Sequence, residues 1–201
     1  MRKEIKGFAV TAGIFLILYA LPYLFFGPLG FFSGVKQVTL EDFSILIYSL
    51  LFPLAGLFLI LRKPKIAAVL VVLASAAVAA SVFSTIPNLL REVYVEHGDH
   101  ETFVPRFYVL VPILEFTVPL LLAVALFLRG RGALILALLA AAVEVAYTVL
   151  TFNMMSYITG HPSPFSIIMP FNFIMTAIFA GFYLLSLGRK QAGEGEEETE
   201  R

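Results

Sequence analysis

Two glutamates stand inside long apolar stretches of this 201-residue chain. Glu115 and Glu144 each lie about eight residues inside an apolar run. A carboxylate is costly in an apolar interior, so such residues usually face the centre of a helix bundle or a water-filled cavity. Two close carboxylates repel each other unless a proton or a cation is shared between them. The two glutamates therefore predict a site for protons, a cation or a cationic solute.

Other polar residues fall at the depth of the two carboxylates. Asn172 lies seven residues into the last apolar run. With a rise of about 1.5 Å per helical residue, all three side chains lie about 11 to 12 Å inside the outer boundary of the apolar layer. The helical face of Glu144 continues through Tyr147 and Thr148, and Ser81 belongs to a polar stripe on the third run. The predicted binding residues in the outer half of the membrane are Glu115, Glu144, Asn172, Tyr147, Thr148 and Ser81.

Three interpretations of the glutamates remain open. They bind a solute, ion or proton, they form a hydrogen-bonded pair that fixes helix packing, or one of them is a catalytic acid or base. The chain contains no His-Glu-x-x-His, no Gly-x-Ser-x-Gly and no phosphate-binding glycine loop. The sequence therefore assigns no enzyme class and names no cofactor.

A second polar cluster lies between the third and fourth apolar runs. His97, Asp99 and His100 fall close together there. Imidazole and carboxylate are ligands that suit zinc, so these three residues are the candidate metal ligands. Because His-Gly-Asp-His is not a recognised zinc spacing, a solvated loop without metal is the alternative.

Six apolar runs carry these groups. A bilayer core about 30 Å thick requires about 20 helical residues, and each run is long enough to cross it. We predict an all-α, polytopic integral membrane protein with a bundle of six transmembrane helices in one domain, residues 1–190. The predicted spans are 8–26, 43–61, 66–86, 107–128, 133–152 and 165–187. The Gly- and Glu-rich segment 191–201 has too little apolar surface to fold, which predicts a disordered acidic tail.

Composition agrees with a membrane protein and excludes several partners. Hydrophobic residues make up 60% of the chain and the mean hydropathy is +0.92, which is extreme for a soluble domain. The formal net charge is zero, which argues against a nucleic-acid partner. With no cysteine, the chain has no disulfide, thiolate metal site or cysteine nucleophile.

Basic residues are sorted by side, which predicts the orientation. If the N-terminus is cytoplasmic and the helices alternate direction, ten of the fourteen basic residues flank the cytoplasmic ends. Such an excess is typical of cytoplasmic loops, so both termini are predicted in the cytoplasm. The ten residues are Arg2, Lys3, Lys6, Arg62, Lys63, Lys65, Arg129, Arg131, Arg189 and Lys190.

A faint internal repeat relates two pairs of helices. The stretch 53–65 matches 119–132, since in each a proline precedes a basic turn. The repeat predicts three hairpins around a central region, with the first and last helices as the third pair. Coincidence is the alternative, because apolar sequences match each other easily.

These observations favour a small transporter or solute- or cation-binding protein of the cell membrane. A structural or assembly subunit of a larger membrane complex is the alternative, and a membrane-embedded enzyme is the third hypothesis. The predicted partners are the lipid bilayer, protons or a small cationic or amphipathic solute, and a membrane-protein partner or second copy of the chain.

Overall fold

The computed structural model describes the backbone of residues 2–32, 40–89, 94–97, 100–103, 109–159 and 165–199. It describes the side chains of residues 4–22, 46–80, 83, 109–154, 156 and 167–190. Six helices contain most of these residues, and each predicted span coincides with one of them, which confirms the helical class. The helices are α1 Arg2–Phe32, α2 Leu40–Ile60, α3 Pro64–Leu89, α4 Leu110–Phe127, α5 Arg131–Thr159 and α6 Phe165–Thr199.

A short β-hairpin lies between α3 and α4, where the sequence predicts a loop. Strand β1 is Tyr94–His97 and strand β2 is His100–Phe103, and they pair antiparallel. The valine, threonine and aromatic residues in these segments favour strands over helix. The hairpin is the one departure from an all-helical chain within the described residues.

Helix α6 also differs from the expectation, because it continues to Thr199 through most of the segment predicted to be disordered. The physical reason is local. Alanine, glutamine and glutamate are good helix formers, and a helix that already exists extends without a new nucleation step. Low apolar content argues against packing of this segment but does not prevent its helical extension.

The six helices form a closed ring in chain order. Each helix packs against its neighbours in the chain, α6 packs against α1, and α4 touches α6 only slightly. This packing does not single out the pairs α2/α3, α4/α5 and α6/α1, so the three-hairpin repeat stays a prediction. Helices α2 and α3 run in opposite directions, as do α4 and α5, because a short turn joins each pair.

Both of these turns lie at the same end of the ring, which we call the basic end because it includes Arg62 and Arg129. The α4–α5 turn is joined to α6 there, since the Gly130 backbone N–H donates to the Leu184 carbonyl at 3.1 Å. Gly188 lies against the same turn. A Cβ on Gly188 would be 2.5 Å from the Gly130 Cα, so only glycine fits at this contact.

Alanine is the commonest buried residue, and many large apolar side chains lie on the outside. Ala12 and Ala74 are completely buried, whereas Ile135 is 65% exposed and Phe83 is 62% exposed. Soluble proteins rarely expose apolar surface on this scale. Helices in lipid instead associate through small residues that allow close packing, while their large apolar side chains face the hydrocarbon.

Four helices contain segments long and apolar enough to cross a membrane. The chain is thus consistent with a membrane protein by length and composition. In α2 and α3 the apolar stretches found within the described residues are shorter, Leu46–Ile60 and Pro64–Ala80. The four long segments are Glu4–Pro22, Leu110–Phe127, Arg131–Met154 and Ile167–Lys190.

A close backbone approach in the ring joins α1 to α2. A Cβ on Gly56 would lie 2.6 Å from the Gly13 carbonyl oxygen and 2.8 Å from Cγ1 of Ile17, and a Cβ on Gly13 would meet the Gly56 carbonyl oxygen. The two glycines therefore face each other directly. Any side chain at either position would force the helices apart.

We expect Gly13→Ala to lower the melting temperature, measured by circular dichroism in a neutral detergent. Overpacking of this kind costs about 1 to 3 kcal/mol. Gly7→Ala is the matched control on the same helix, because a Cβ there meets nothing within 4 Å. Alanine is a better helix former than glycine by about 1 kcal/mol, so the control should melt at the same or a higher temperature. Equal melting temperatures for the two variants would contradict the close α1–α2 contact.

Candidate functional site

Glu115 and Glu144 lie on two helices that pack side by side. Glu115 is half-buried on α4, and Glu144 on α5 is only 2% exposed. The two carboxylates are close enough for their charges to interact. Glu115 lies about four helical turns before Arg129 in the sequence. Glu144 lies the same number of residues after Gly130. At about 1.5 Å per residue, both lie about 21 Å from the basic end, so the antiparallel helices bring them to one height.

Asn172 is a third polar residue near this height. It is buried on α6, and the Thr176 hydroxyl one turn further along donates to its backbone carbonyl at 2.8 Å. Asn172 precedes Gly188, which contacts the α4–α5 turn, by slightly more than four helical turns. This places it about 24 Å from the basic end. Since α6 packs against α5, Asn172 and Glu144 lie on adjacent helices at similar depth.

A pair of buried tyrosines extends this level to the first two helices. The hydroxyls of Tyr19 on α1 and Tyr48 on α2 share a hydrogen bond. The Tyr19 ring packs against Phe52 and Phe173, with centroids 5.5 and 5.2 Å away. The Phe173 contact brings the tyrosine pair to the residue that follows Asn172. The pair thus joins α1 and α2 to the same region of α6.

Five of the six helices therefore contribute a polar side chain at similar depth. Tyr48 lies about four helical turns before Arg62 in the sequence. Ile5 lines a cavity at the basic end, and Tyr19 lies about four helical turns after it. Both are thus about 21 Å from that end, as the glutamates are. We call this set the polar layer, and its members are Tyr19, Tyr48, Glu115, Glu144 and Asn172.

Sequence reasoning did not include the two tyrosines among the binding residues. Their aromatic character is also typical of residues that anchor a helix at the membrane interface. Counting residues from the basic turn would have placed Tyr48 with the carboxylates, since Tyr48 is as far from Arg62 as Glu115 is from Arg129. No such count along the sequence predicts the hydrogen bond to Tyr19, because this bond depends on how α1 packs against α2.

The face of α5 that follows Glu144 has a mixed character. The Thr148 hydroxyl donates to the Glu144 backbone carbonyl at 2.7 Å, which leaves the hydroxyl oxygen as an acceptor. Tyr147 is half-buried and packs with Val111 of α4. Thr151 has a buried hydroxyl with no hydrogen-bond partner among the residues that the structure describes. An unpaired buried hydroxyl costs free energy, which favours a water or solute near this face.

Prolines within the helices add backbone oxygens. Proline has no N–H, so Pro119 leaves the Glu115 carbonyl without its usual helical donor, and Pro53 does the same for Ser49. Ser49 is buried, and its side-chain hydroxyl donates to the Leu46 carbonyl at 2.8 Å. Glu115 thus offers a carboxylate and a carbonyl oxygen at the same position. Oxygens of both kinds are suitable ligands for a cation.

Two predicted groups fall wholly or partly outside the described residues. Ser81 lies on α3, but its side chain is not among those described. Asp99 also lies outside, whereas His97 and His100 are opposite each other in the hairpin register. Within the described part of the chain, no three potential metal ligands come together. The metal site at His97, Asp99 and His100 therefore stays a prediction.

Comparison of the chain with protein-family models, with curated proteins and with solved structures finds no match. The chemistry of the polar layer must therefore be argued from its own residues.

We expect Glu144→Gln to raise the melting temperature of the detergent-solubilised protein, measured by circular dichroism. The substitution keeps the shape of the side chain and removes the cost of ionising a buried carboxyl group beside a second one. In the Glu115→Gln background the same change should stabilise less, because the repulsion is already gone. We expect a coupling of about 1 kcal/mol between the two positions.

A fall in stability in Glu144→Gln would show instead that the carboxylate holds the helices together. Additive effects of the two substitutions would contradict the electrostatic contact between them.

Proposed function

We propose that this chain is a six-span membrane protein that binds protons or a small cationic solute at the polar layer and moves or presents it across the membrane. The observation that carries the proposal is that Glu115 and the buried Glu144 lie at one height on two neighbouring helices that pack against each other. Such a pair has a high cost in an apolar interior when it is charged. A proton or a cation that binds there offsets this cost, so its binding is favourable.

The neighbouring groups suit the same kind of ligand. The Asn172 side chain has an amide oxygen, and Asn172 is buried on α6 at a similar depth. The rings of Tyr19 and Phe173 lie at the same level, and aromatic faces attract cations in desolvated sites. Carboxylates, carbonyls and ring faces together favour a small organic or inorganic cation over an anion.

The proposed topology has six spans with both termini in the cytoplasm of the cell. It is supported by the closed ring of six helices and by the basic residues of the two short turns, which lie together at one end. An excess of arginine and lysine usually marks the cytoplasmic side. In this orientation the polar layer lies in the outer half of the bilayer and the basic end faces the cytoplasm.

The exposed apolar surface supports lipid as the main partner. All six helices carry large exposed apolar side chains, for example Ile14, Leu54, Leu73, Val124 and Ile135. A structural subunit would need one broad apolar flank that only its partner covers. Exposed apolar side chains on every helix of the ring instead fit a protein that lipid surrounds. This favours the proposed binding protein over a structural subunit.

We expect Glu144→Gln to abolish pH-dependent uptake of tetraphenylphosphonium into proteoliposomes, with proton movement followed by an internal pH dye. The variant should retain the helical circular dichroism signal of the original protein. Glu4→Gln is the matched control, because Glu4 is exposed near the start of α1 and far from the polar layer. The control should transport at the original rate. Unchanged cation uptake and proton movement in Glu144→Gln would remove the main support for the proposal.

The topology is tested by single cysteines, which the chain otherwise lacks. A cysteine at Gly132 meets no atom within 4 Å of its Cβ, and a second variant places one at Gly34 between α1 and α2. In intact cells, a membrane-impermeant maleimide should label Gly34→Cys but label Gly132→Cys only after the cells are opened. Labelling of both positions from outside would overturn the proposed topology.

A further inference from the structure

The basic end of the ring contains a cavity of about 630 Å³. Its lining comes from four places in the chain: the start of α1, the α2–α3 turn, the α4–α5 turn and the end of α6. A volume of this size is in the range of small-molecule sites. The cavity is about 20 Å from the polar layer by helical rise, so it is a separate site.

Cationic side chains dominate the lining. Lys6, Arg62, Lys63 and Arg129 line the cavity together with Lys190, and no acidic residue is among the described lining residues. These cations come from different helices and turns and are brought together by the closure of the ring. Their mutual repulsion costs free energy that a bound anion would offset. The apolar part of the lining includes Ile5, Leu61 and Leu187.

Arg62 occupies a backbone position that favours glycine. Its φ is 58°, in the left-handed region, and it follows the end of α2. The Arg62 N–H donates to the Leu59 carbonyl and the Lys63 N–H to the Phe58 carbonyl, both at 2.8 Å, which is the Schellman arrangement that usually places glycine at this residue. The α4–α5 turn places Gly130 in the left-handed region instead, with φ of 74°. An arginine held in an unfavourable conformation is consistent with a role for its side chain.

The base of the cavity adds a hydroxyl donor. Tyr183 lines the cavity but is 1% exposed, and the charges of Arg62 and Arg129 act on its hydroxyl. Guanidinium groups bind phosphate oxygens through two parallel hydrogen bonds, and lysine adds compact positive charge. Two arginines, several lysines and a tyrosine hydroxyl around one space match the oxygens and charge of a phosphate group.

We propose that this cavity binds a phosphate-bearing anion, either the headgroup of an anionic lipid or a soluble phosphate compound. Basic pockets between membrane helices on the cytoplasmic side recognise lipid headgroups by the same chemistry. The apolar lining would contact the part of the ligand that follows the phosphate. This site does not depend on the proposed function of the polar layer, since no residue is common to both.

The test uses the full-length protein in a neutral detergent and isothermal titration calorimetry with two probes, inorganic pyrophosphate and dioctanoyl phosphatidylglycerol. The chain offers two matched pairs of variants. Arg129→Gln and Lys63→Gln remove cations from the lining, whereas Arg131→Gln and Lys65→Gln remove nearby exposed cations that do not line it. Loss of one charged hydrogen bond weakens binding roughly tenfold, so the first two variants should lose at least that much affinity. The second two should stay within about twofold, because an exposed cation outside the lining makes no hydrogen bond to the ligand and its charge is screened by salt.

Arg62→Gly separates ligand binding from folding. It removes a cation from the cavity but places glycine where the backbone favours it. We expect weaker probe binding together with an unchanged or higher melting temperature. A fall in affinity in this variant therefore cannot be attributed to a damaged fold.

The two probes distinguish the sources of phosphate. Binding of the lipid alone indicates a headgroup site, binding of pyrophosphate alone indicates a soluble compound, and binding of both shows that the phosphate group itself is recognised. The proposal is overturned if neither probe binds the original protein. It is also overturned if both members of each matched pair lose affinity equally, because the basic residues would then act only as diffuse charge that sets orientation.

Discussion

The structure depends on how closely helix backbones approach each other. In lipid, apolar side chains gain nothing by moving from hydrocarbon to a helix interface, so association depends on packing and on polar contacts. Here alanine is the commonest residue at the buried positions, and Gly13 meets Gly56 where the backbones of α1 and α2 approach closely. Many large apolar side chains lie on the outside of the ring. The interior can then hold carboxylates, an amide and tyrosines that lipid would not tolerate.

The two ends of the ring have opposite chemistry for one geometric reason. Neighbouring helices run antiparallel, so residues at equal distance from the turns at one end come to the same height even when they are far apart in the chain. Arg62 and Arg129 meet around one cavity in this way, and Glu115 and Glu144 meet about 21 Å away. The basic cavity and the carboxylate pair thus lie apart along the helix axis.

Much of this arrangement can be predicted from the sequence, and the rest depends on packing. The helices follow from apolar runs, and the common depth of Glu115, Glu144 and Asn172 follows from the rise per residue.

The hydrogen bond between Tyr19 and Tyr48 cannot be predicted from the sequence, because a count along each helix gives the height of a residue but not the rotation of the helix. Nor can the basic cavity be predicted, since its residues come from separate regions that meet only when α6 packs against α1. The helical stretch up to Thr199 does not follow either, because low apolar content predicts only the absence of packing, and a helix can extend without packing.

The closure of the ring by α6 has a consequence for biosynthesis. A chain made from its N-terminus can pair each new helix with the one before it, and such local contacts form early. The contact between α6 and α1 joins the first helix to the last and is available only when the last helix has been made. Because α6 supplies Asn172 to one site and Tyr183 to the other, both sites are completed in the same final step. A nascent chain of five helices would therefore lack a residue of each proposed site.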